Sequence, residues 1–118
     1  MDKEFAEHFA RRWLDAWNAH DLDRILDHYA DNFEMASPAI TQILKEPSGM
    51  LYGKEAVRNY WTKALALVPD LKFELQATLL GVDSIILCYR GARGRMVSEV
   101  FYFGSDKQVI RAEAHYEV

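Results

Sequence analysis

The residues of this chain that could do chemistry centre on one glutamate in a strand-like run. Residues 96–103 read Met-Val-Ser-Glu-Val-Phe-Tyr-Phe. Because successive side chains of a strand point to opposite faces, Glu99 shares a face with Val97, Phe101 and Phe103. A carboxyl group enclosed by apolar neighbours has a raised pKa and can donate a hydrogen bond or act as an acid or base. We therefore take Glu99 as the candidate catalytic residue of an apolar pocket.

A structural role for Glu99 is the alternative. Its carboxylate could pair with Arg90, Arg93 or Arg95 of the neighbouring hairpin, or it could turn outwards at a bulge. The three possibilities differ in what the carboxyl group contacts, which is a ligand cavity, a guanidinium or solvent.

Aromatic and apolar side chains on the helices and strands around Glu99 are expected to form the pocket wall. Tryptophans on a helical stripe are more often core than ligand platform, but in a cone-shaped domain the core and the pocket wall are one surface. The last run of the chain, 110–118, alternates without a break and has small alanines at its centre, which leaves room for a ligand. Its predicted buried face is Ile110, Ala112, Ala114, Tyr116 and Val118. The expected ligand-binding residues are Trp13, Trp17, Tyr29, Phe33, Met35, Ser37, Trp61, Phe101 and Tyr116.

The elements that must position these residues follow from hydrophobic periodicity. The stripe Phe5, Phe9, Trp13, Trp17 predicts a helix over 3–18, and two further helices are expected at 22–29 and 54–67. Alternating runs predict a first strand from Phe33 to about Pro38, then strands at 71–79, 84–90, 95–103 and 110–118. The order predicts one α+β domain over residues 1–118, in which a curved antiparallel sheet wraps three helices as a cone.

One segment resists assignment. Residues 41–53 contain Pro47, Gly49 and Gly53, which indicate a loop, but also several large apolar side chains. A loop with that composition must cover something. It is either a structural flap on the core edge or a lid over a ligand.

Composition excludes several classes of function. The 118 residues carry a formal charge of −4 and no basic stripe, which disfavours nucleic-acid binding. The histidines have no partners at metal-ligand spacing, so we expect neither metal nor cofactor. Cys88 is the single cysteine, and no apolar stretch approaches the ~18 residues of a membrane span. We expect a cytoplasmic protein with no membrane contact.

Three short motifs resemble the nuclear transport factor 2-like superfamily, also called the SnoaL-like fold. Residues 17–23 (Trp-Asn-Ala-His-Asp-Leu-Asp) look like its link between the first two helices, 29–33 (Tyr-Ala-Asp-Asn-Phe) look like its entry to the first strand, and 53–57 (Gly-Lys-Glu-Ala-Val) are similar to its start of helix three. The resemblance implies a cystatin-like cone fold. It implies no particular reaction, because one fold hosts many functions.

Within that superfamily, the ketosteroid isomerases offer a pattern that can be laid over this chain. They place a tyrosine on helix one, a general-base aspartate before a proline on the first strand, and a protonated aspartate on a late strand. The matching positions here hold Trp13, Ser37 and Glu99. A serine hydroxyl cannot take a carbon-bound proton without a base beside it, so steroid isomerisation by that mechanism is not expected.

Two functions remain open. One is an acid–base enzyme, such as an isomerase, cyclase or dehydratase, that uses Glu99 on a small apolar molecule. The other is a non-catalytic binding or assembly module. The superfamily commonly pairs copies through the outer sheet face, so we expect a homodimer through Val100, Tyr102, Arg111, Glu113 and His115, with a solvated face as the alternative.

Overall fold

The computed structural model describes all 118 residues and consists of four α-helices and a six-stranded sheet. The helices are α1 (Lys3–Asn18), α2 (Leu22–Leu26), α3 (Pro38–Leu44) and α4 (Lys54–Leu67). The strands are β1 (Tyr29–Ala36), β2 (Met50–Tyr52), β3 (Glu74–Leu80), β4 (Ser84–Arg90), β5 (Met96–Phe103) and β6 (Val109–Tyr116). The α+β class is confirmed.

The sheet is antiparallel except at one pair of strands. Its order is β2-β1-β6-β5-β4-β3, and β1 runs parallel to β6, with Met35 opposite Ala112. The expectation of a wholly antiparallel sheet therefore needs this correction. A parallel pair needs a long crossover, and the whole chain between β1 and β6 supplies it.

The first helix begins and packs as its sequence predicts. The Asp2 carboxylate accepts a hydrogen bond from the Phe5 amide at 2.8 Å, which caps α1. The stripe along one face is buried and packs in the single core cluster: Ala6, Phe9, Ala10, Trp13, Ala16 and Trp17.

The segment after β1 is a folded element and not a loop. Ser37 caps α3, Pro38 is its first residue, and β2 then pairs antiparallel with β1. Ile40 is fully buried. Ile40 thus anchors α3 to the core, and for residues 41–53 both the structural flap and the lid stay predictions. Pro38, which ends the first strand, also begins helix α3, and the sequence analysis did not predict this helix.

Several predicted boundaries are wrong. The first strand begins at Tyr29 and not at Phe33, β3 begins at Glu74 and not at residue 71, and two further differences have their reasons in strand pairing. The second helix ends at Leu26 and not near residue 29, because Tyr29 already pairs with Val109 across β1 and β6. In β6 a register shift lets Val109 face Phe103 while Arg111 faces Tyr102, so Ile110 is 46% exposed. Val118 lies beyond the strand and is also exposed. The predicted buried face therefore holds for Ala112, Ala114 and the half-buried Tyr116.

Candidate functional site

A cavity of about 560 Å³ lies between the sheet and the helices α3 and α4. Sixteen of its twenty-two lining residues are hydrophobic, so it suits a largely apolar ligand. The wall also includes the segment 68–73, the turn 91–95 and inward-facing residues of β4, β5 and β6.

Glu99 is the one acidic side chain in this wall. Strand alternation points it inwards with Val97 and Phe101, and it is only 4% exposed. The residue opposite it on β6 is Ala114, whose methyl group leaves space beside the carboxyl group.

The partner of Glu99 is a tyrosine and not an arginine. The Tyr89 hydroxyl donates to Glu99 Oε1 at 2.8 Å. Of the arginines considered from the sequence, Arg90 pairs with Glu117, and Arg95 donates to the Glu117 carbonyl and lies over the Tyr116 ring. No arginine neutralises the buried carboxyl group.

Burial raises the pKa of Glu99 to about 7, although the Tyr89 hydrogen bond lowers it. The protonated and ionised forms are therefore both populated near neutral pH. That is the condition under which a carboxyl group transfers protons efficiently in both directions.

Four buried tyrosines lie close enough to Glu99 for its negative charge to affect their pKa values. Burial raises the pKa of Tyr29, Tyr60, Tyr89 and Tyr116, and the charge of Glu99 raises each of them further. Their hydroxyl groups therefore stay protonated at neutral pH, and the Tyr89 hydroxyl donates to Glu99. Tyr60, Tyr89 and Tyr116 line the cavity.

One further donor belongs to the wall. The indole N–H of Trp17 is buried and has no hydrogen-bond partner in the protein, and the Trp17 side chain lines the cavity. A buried N–H without a partner is costly, so a ligand acceptor that reached it would be favoured.

The predicted ligand-binding residues divide into two groups. Those that line the cavity are Trp17, Met35, Trp61 and Tyr116, together with Glu99. Those that lie outside its lining are the buried Trp13, Tyr29, Phe33, Ser37 and Phe101. The core has a layer of side chains behind the cavity wall. Phe101 belongs to that layer, because it packs against Trp13 of helix α1 and does not line the cavity.

Residues of the second group form hydrogen bonds with each other and with the wall. The Trp13 indole donates to the Tyr29 hydroxyl at 2.9 Å. The Ser37 hydroxyl lies 3.5 Å from the Tyr116 hydroxyl, to which it donates, and it also accepts from the Ala39 amide at 3.2 Å. These contacts position polar groups near Glu99 without opening to the cavity.

Sequence reasoning missed Tyr60 and Tyr89 as site residues. Tyr89 could have been found, because it alternates with Ile85 and Leu87 in a strand that pairs with the strand of Glu99. Leu87 lies opposite Glu99 in the strand pair, so Tyr89, two residues further along, is the diagonal neighbour of Glu99 on the same face of the sheet. The contribution of α3 to the wall had no such signal.

The Asn-Ala-His motif after α1 holds the cavity wall in place. Asn18 bonds both backbone groups of Phe73, at 2.7 and 3.0 Å, and His20 Nε2 lies 2.7 Å from the Leu71 carbonyl oxygen. Leu71 and Phe73 both line the cavity. His20 is thus engaged in a structural contact.

No three histidine, cysteine, aspartate or glutamate side chains are grouped so that they could hold a metal ion. None of the helices combines the length and hydropathy needed to cross a bilayer.

Similar structures have this fold. A SnoaL-like protein of unknown function from Burkholderia thailandensis is 60% identical, with a TM-score of 0.95, over 99% of this chain and 98% of that one. A nuclear transport factor 2-like protein of unknown function from Cytophaga hutchinsonii is 12% identical, with a TM-score of 0.74, over 95% and 89% of the two chains. TerC, co-crystallised with polyporic acid, is 11% identical, with a TM-score of 0.76, over 95% and 91%.

No curated protein matches this chain. The family model of the SnoaL-like domain matches residues 10–112, which include the second half of α1, the helices α2, α3 and α4, and every strand up to the middle of β6. The expected resemblance to the SnoaL-like fold is confirmed: the chain belongs to the SnoaL-like domain family.

Proposed function

We propose that the cavity binds a small, largely apolar ring compound bearing a carbonyl group, and that Glu99 moves a proton on it. The observation that carries the proposal is a single buried carboxyl group, with a pKa of about 7, in the wall of an apolar cavity. Burying a carboxyl group without a cationic partner is costly, and that cost is typical of functional sites.

The proton transfer has a simple balance. The ionised Glu99 takes a proton from the carbon next to the carbonyl group, and the electron pair of that C–H bond moves onto the carbonyl oxygen. Hydroxyl groups of Tyr60 and Tyr116 and the N–H of Trp17 can donate to the resulting enolate oxygen. Where a C=C bond is conjugated with the enolate, return of the proton from Glu99 to the far carbon of that bond moves the double bond, restores the carbonyl group and completes an isomerisation. Where the next carbon carries a hydroxyl group, Glu99 gives the proton to that hydroxyl, which leaves as water while the enolate electrons form the new C=C bond and restore the carbonyl group.

The co-crystallisation of TerC with polyporic acid supports the proposal at the level of the fold, since TerC has this fold and polyporic acid is an organic compound. The identity of 11% carries nothing about substrate to this chain.

The second candidate function is binding without chemistry. Ser37 stands directly before Pro38, where the ketosteroid isomerases have their general base, and no other acidic residue lines the cavity. A protein with this site would hold an apolar molecule, and Glu99 would serve only as a hydrogen-bond donor to it.

Hydrogen–deuterium exchange distinguishes the two functions. Cyclic ketones such as cyclohexanone and 2-tetralone are incubated with the protein in D₂O at pD 7, and deuterium at the carbon next to the carbonyl is followed by NMR. We expect the wild type to accelerate exchange and Glu99→Gln to lose at least tenfold of that acceleration. Glu74→Gln, which removes an exposed carboxylate from β3, should retain it.

Ligand-induced thermal stabilisation is measured with the same compounds. Stabilisation of the wild type without accelerated exchange would establish the binding module and contradict proton transfer. Neither stabilisation nor exchange with any ketone would contradict the proposed substrate class.

A further inference from the structure

A second cavity, of about 290 Å³, shares no lining residue with the one that contains Glu99. Five of its nine lining residues have basic side chains and one is acidic. The basic residues are His8, Arg12, Arg24, His28 and Lys107, and the acidic one is Asp27.

Three separate elements bring this charge together. Helix α1 contributes His8 and Arg12, α2 contributes Arg24, and the turn between β5 and β6 contributes Lys107. Arg12, Arg24 and Lys107 form no salt bridge. A concave cluster of unpaired cations attracts anions strongly, here on a chain whose net charge is −4.

The geometry of the cluster is fixed by backbone contacts beside it. The Val109 amide donates to the His28 carbonyl at 2.8 Å. The Gln108 side-chain amide can take the orientation in which its nitrogen donates to the carbonyl oxygens of Asp27 at 3.2 Å and Tyr29 at 3.0 Å, and this orientation satisfies its oxygen as well. The turn that carries Lys107 is therefore attached to the segment that carries His28, so the backbones of these two residues are held beside each other.

The remaining contacts leave the cationic groups available. Arg12 Nη1 lies 3.5 Å from His8 Nε2, one helical turn away, and Lys107 Nζ lies 5.0 Å above the centre of the Phe5 ring. Phe9 packs edge-on against the His28 ring. The cavity thus combines cationic donors with an aromatic floor.

We propose that this second cavity binds a small oxyanion of the phosphate class, held by Arg12, Arg24 and Lys107 with the two imidazoles as further donors. Planar guanidinium groups bind phosphate oxygens in pairs, and a phosphate carries enough charge to engage three cations. The cluster is compact and does not continue as a stripe of basic residues, which binding to a nucleic-acid backbone would need. This proposal is independent of the function proposed for Glu99.

His28 gives the proposal a second readout. Burial lowers the pKa of the His28 imidazole. The positive charges of Arg12, His8 and Arg24 lower that pKa further, and the negative charge of Asp27 raises it. Lys107 on the facing turn and the Asp27 carboxylate are the other charges in the cavity. A bound anion favours the protonated imidazole, so binding should raise the pKa of His28 and strengthen as pH falls.

The test is a titration of the full chain with pyrophosphate and, separately, with phenyl phosphate at constant ionic strength. Calorimetry measures affinity, and NMR of the imidazole carbons measures the pKa of His28. We expect saturable binding, an upward shift of that pKa, and at least tenfold weaker binding in Arg12→Gln and in Lys107→Gln. Arg11→Gln, an exposed neighbour on α1 outside this cavity, is the matched control and should bind like the wild type.

The two probes separate the sources of the anion. Preference for phenyl phosphate would assign the site to a phosphorylated organic molecule that contacts the aromatic floor, and preference for pyrophosphate would assign it to an inorganic anion. Binding that fails to saturate, or that weakens equally in Arg11→Gln, would overturn the proposal, since either result indicates general charge attraction. Thermal unfolding without anion confirms that each variant is folded.

Discussion

At the scale of the residue, the environment of Glu99 determines what it can do. A carboxylate in water has little affinity for a proton at neutral pH, whereas this one is enclosed by an apolar wall and receives one hydrogen bond, from Tyr89. The enclosure destabilises the ionised form, and the hydrogen bond offsets part of that effect. Its proton affinity is therefore a property of the folded state, with consequences for stability as well as for chemistry.

Glu99 should make the protein less stable as the pH rises. Because its pKa rises from 4.5 to about 7 on folding, the folded state binds the proton more tightly, and the free energy of unfolding falls between those two pH values. At about 1.4 kcal/mol for each pKa unit, the full effect is about 3 kcal/mol. Glu99→Gln should remove this fall and be more stable than the wild type at pH 8.

Urea unfolding at pH 5 and pH 8 measures the effect. The comparison is the difference between the two pH values in the wild type, in Glu99→Gln and in the exposed control Glu74→Gln. The control should follow the wild type. An equal pH dependence in wild type and Glu99→Gln would show that the carboxyl group is hydrated in the folded state.

At the scale of the element, helix α3 follows strand β1 directly and forms one side of the cavity. Ser37 ends the inward face of β1 and caps the helix, and Pro38, Ala39 and Ile43 of that helix line the cavity. The same residues that terminate β1 therefore build one side of the site. A change in the cap should alter both helix stability and the position of the wall.

Ser37→Ala should lower stability by about 1 kcal/mol. The hydroxyl group accepts from the Ala39 amide and donates to Tyr116, and loss of a serine cap typically has an effect of this size. Chemical denaturation measures it. Ser105→Ala, in the exposed turn after β5, should change stability by less than about 0.5 kcal/mol. Equal effects of the two substitutions would contradict a capping role for Ser37.

At the scale of the whole molecule, one face of the sheet is occupied by the helices and the other is free. Tyr102 on the outer face is 40% exposed, and Arg111 pairs there with Glu34 and Glu113. His115 Nε2 lies 3.7 Å from Glu113 Oε2. We propose that this polar face, with Val100 at its centre, forms the interface of a homodimer.

Tyr102→Glu should weaken that dimer at least tenfold, because each copy would bring an additional negative charge into the proposed interface and bury it there. Light scattering across a concentration series measures the mass. Tyr52→Glu, at the far edge strand β2 and 63% exposed, should leave the dimer intact. A wild type that is monomeric at every concentration would contradict the interface.

Much of this architecture was predictable because its signals are local. The helix over 54–67 and the strand over 84–90 have the predicted bounds, since each has an uninterrupted period and a turn residue at its ends. The inward position of Glu99 follows equally from alternation within one strand. The family resemblance also lay in short local motifs.

Residues 1–118 by themselves determined the class of fold, the buried glutamate and its apolar neighbours, because periodicity and alternation are properties of neighbours in the chain. Only the tertiary structure decided which residues reach the cavity. The parallel pairing of β1 with β6, the bulge that exposes Ile110 and the Tyr89–Glu99 hydrogen bond depend on register between strands. The cluster around His28 likewise joins Arg12 to Lys107, and no local pattern records the meeting of groups so far apart in the chain.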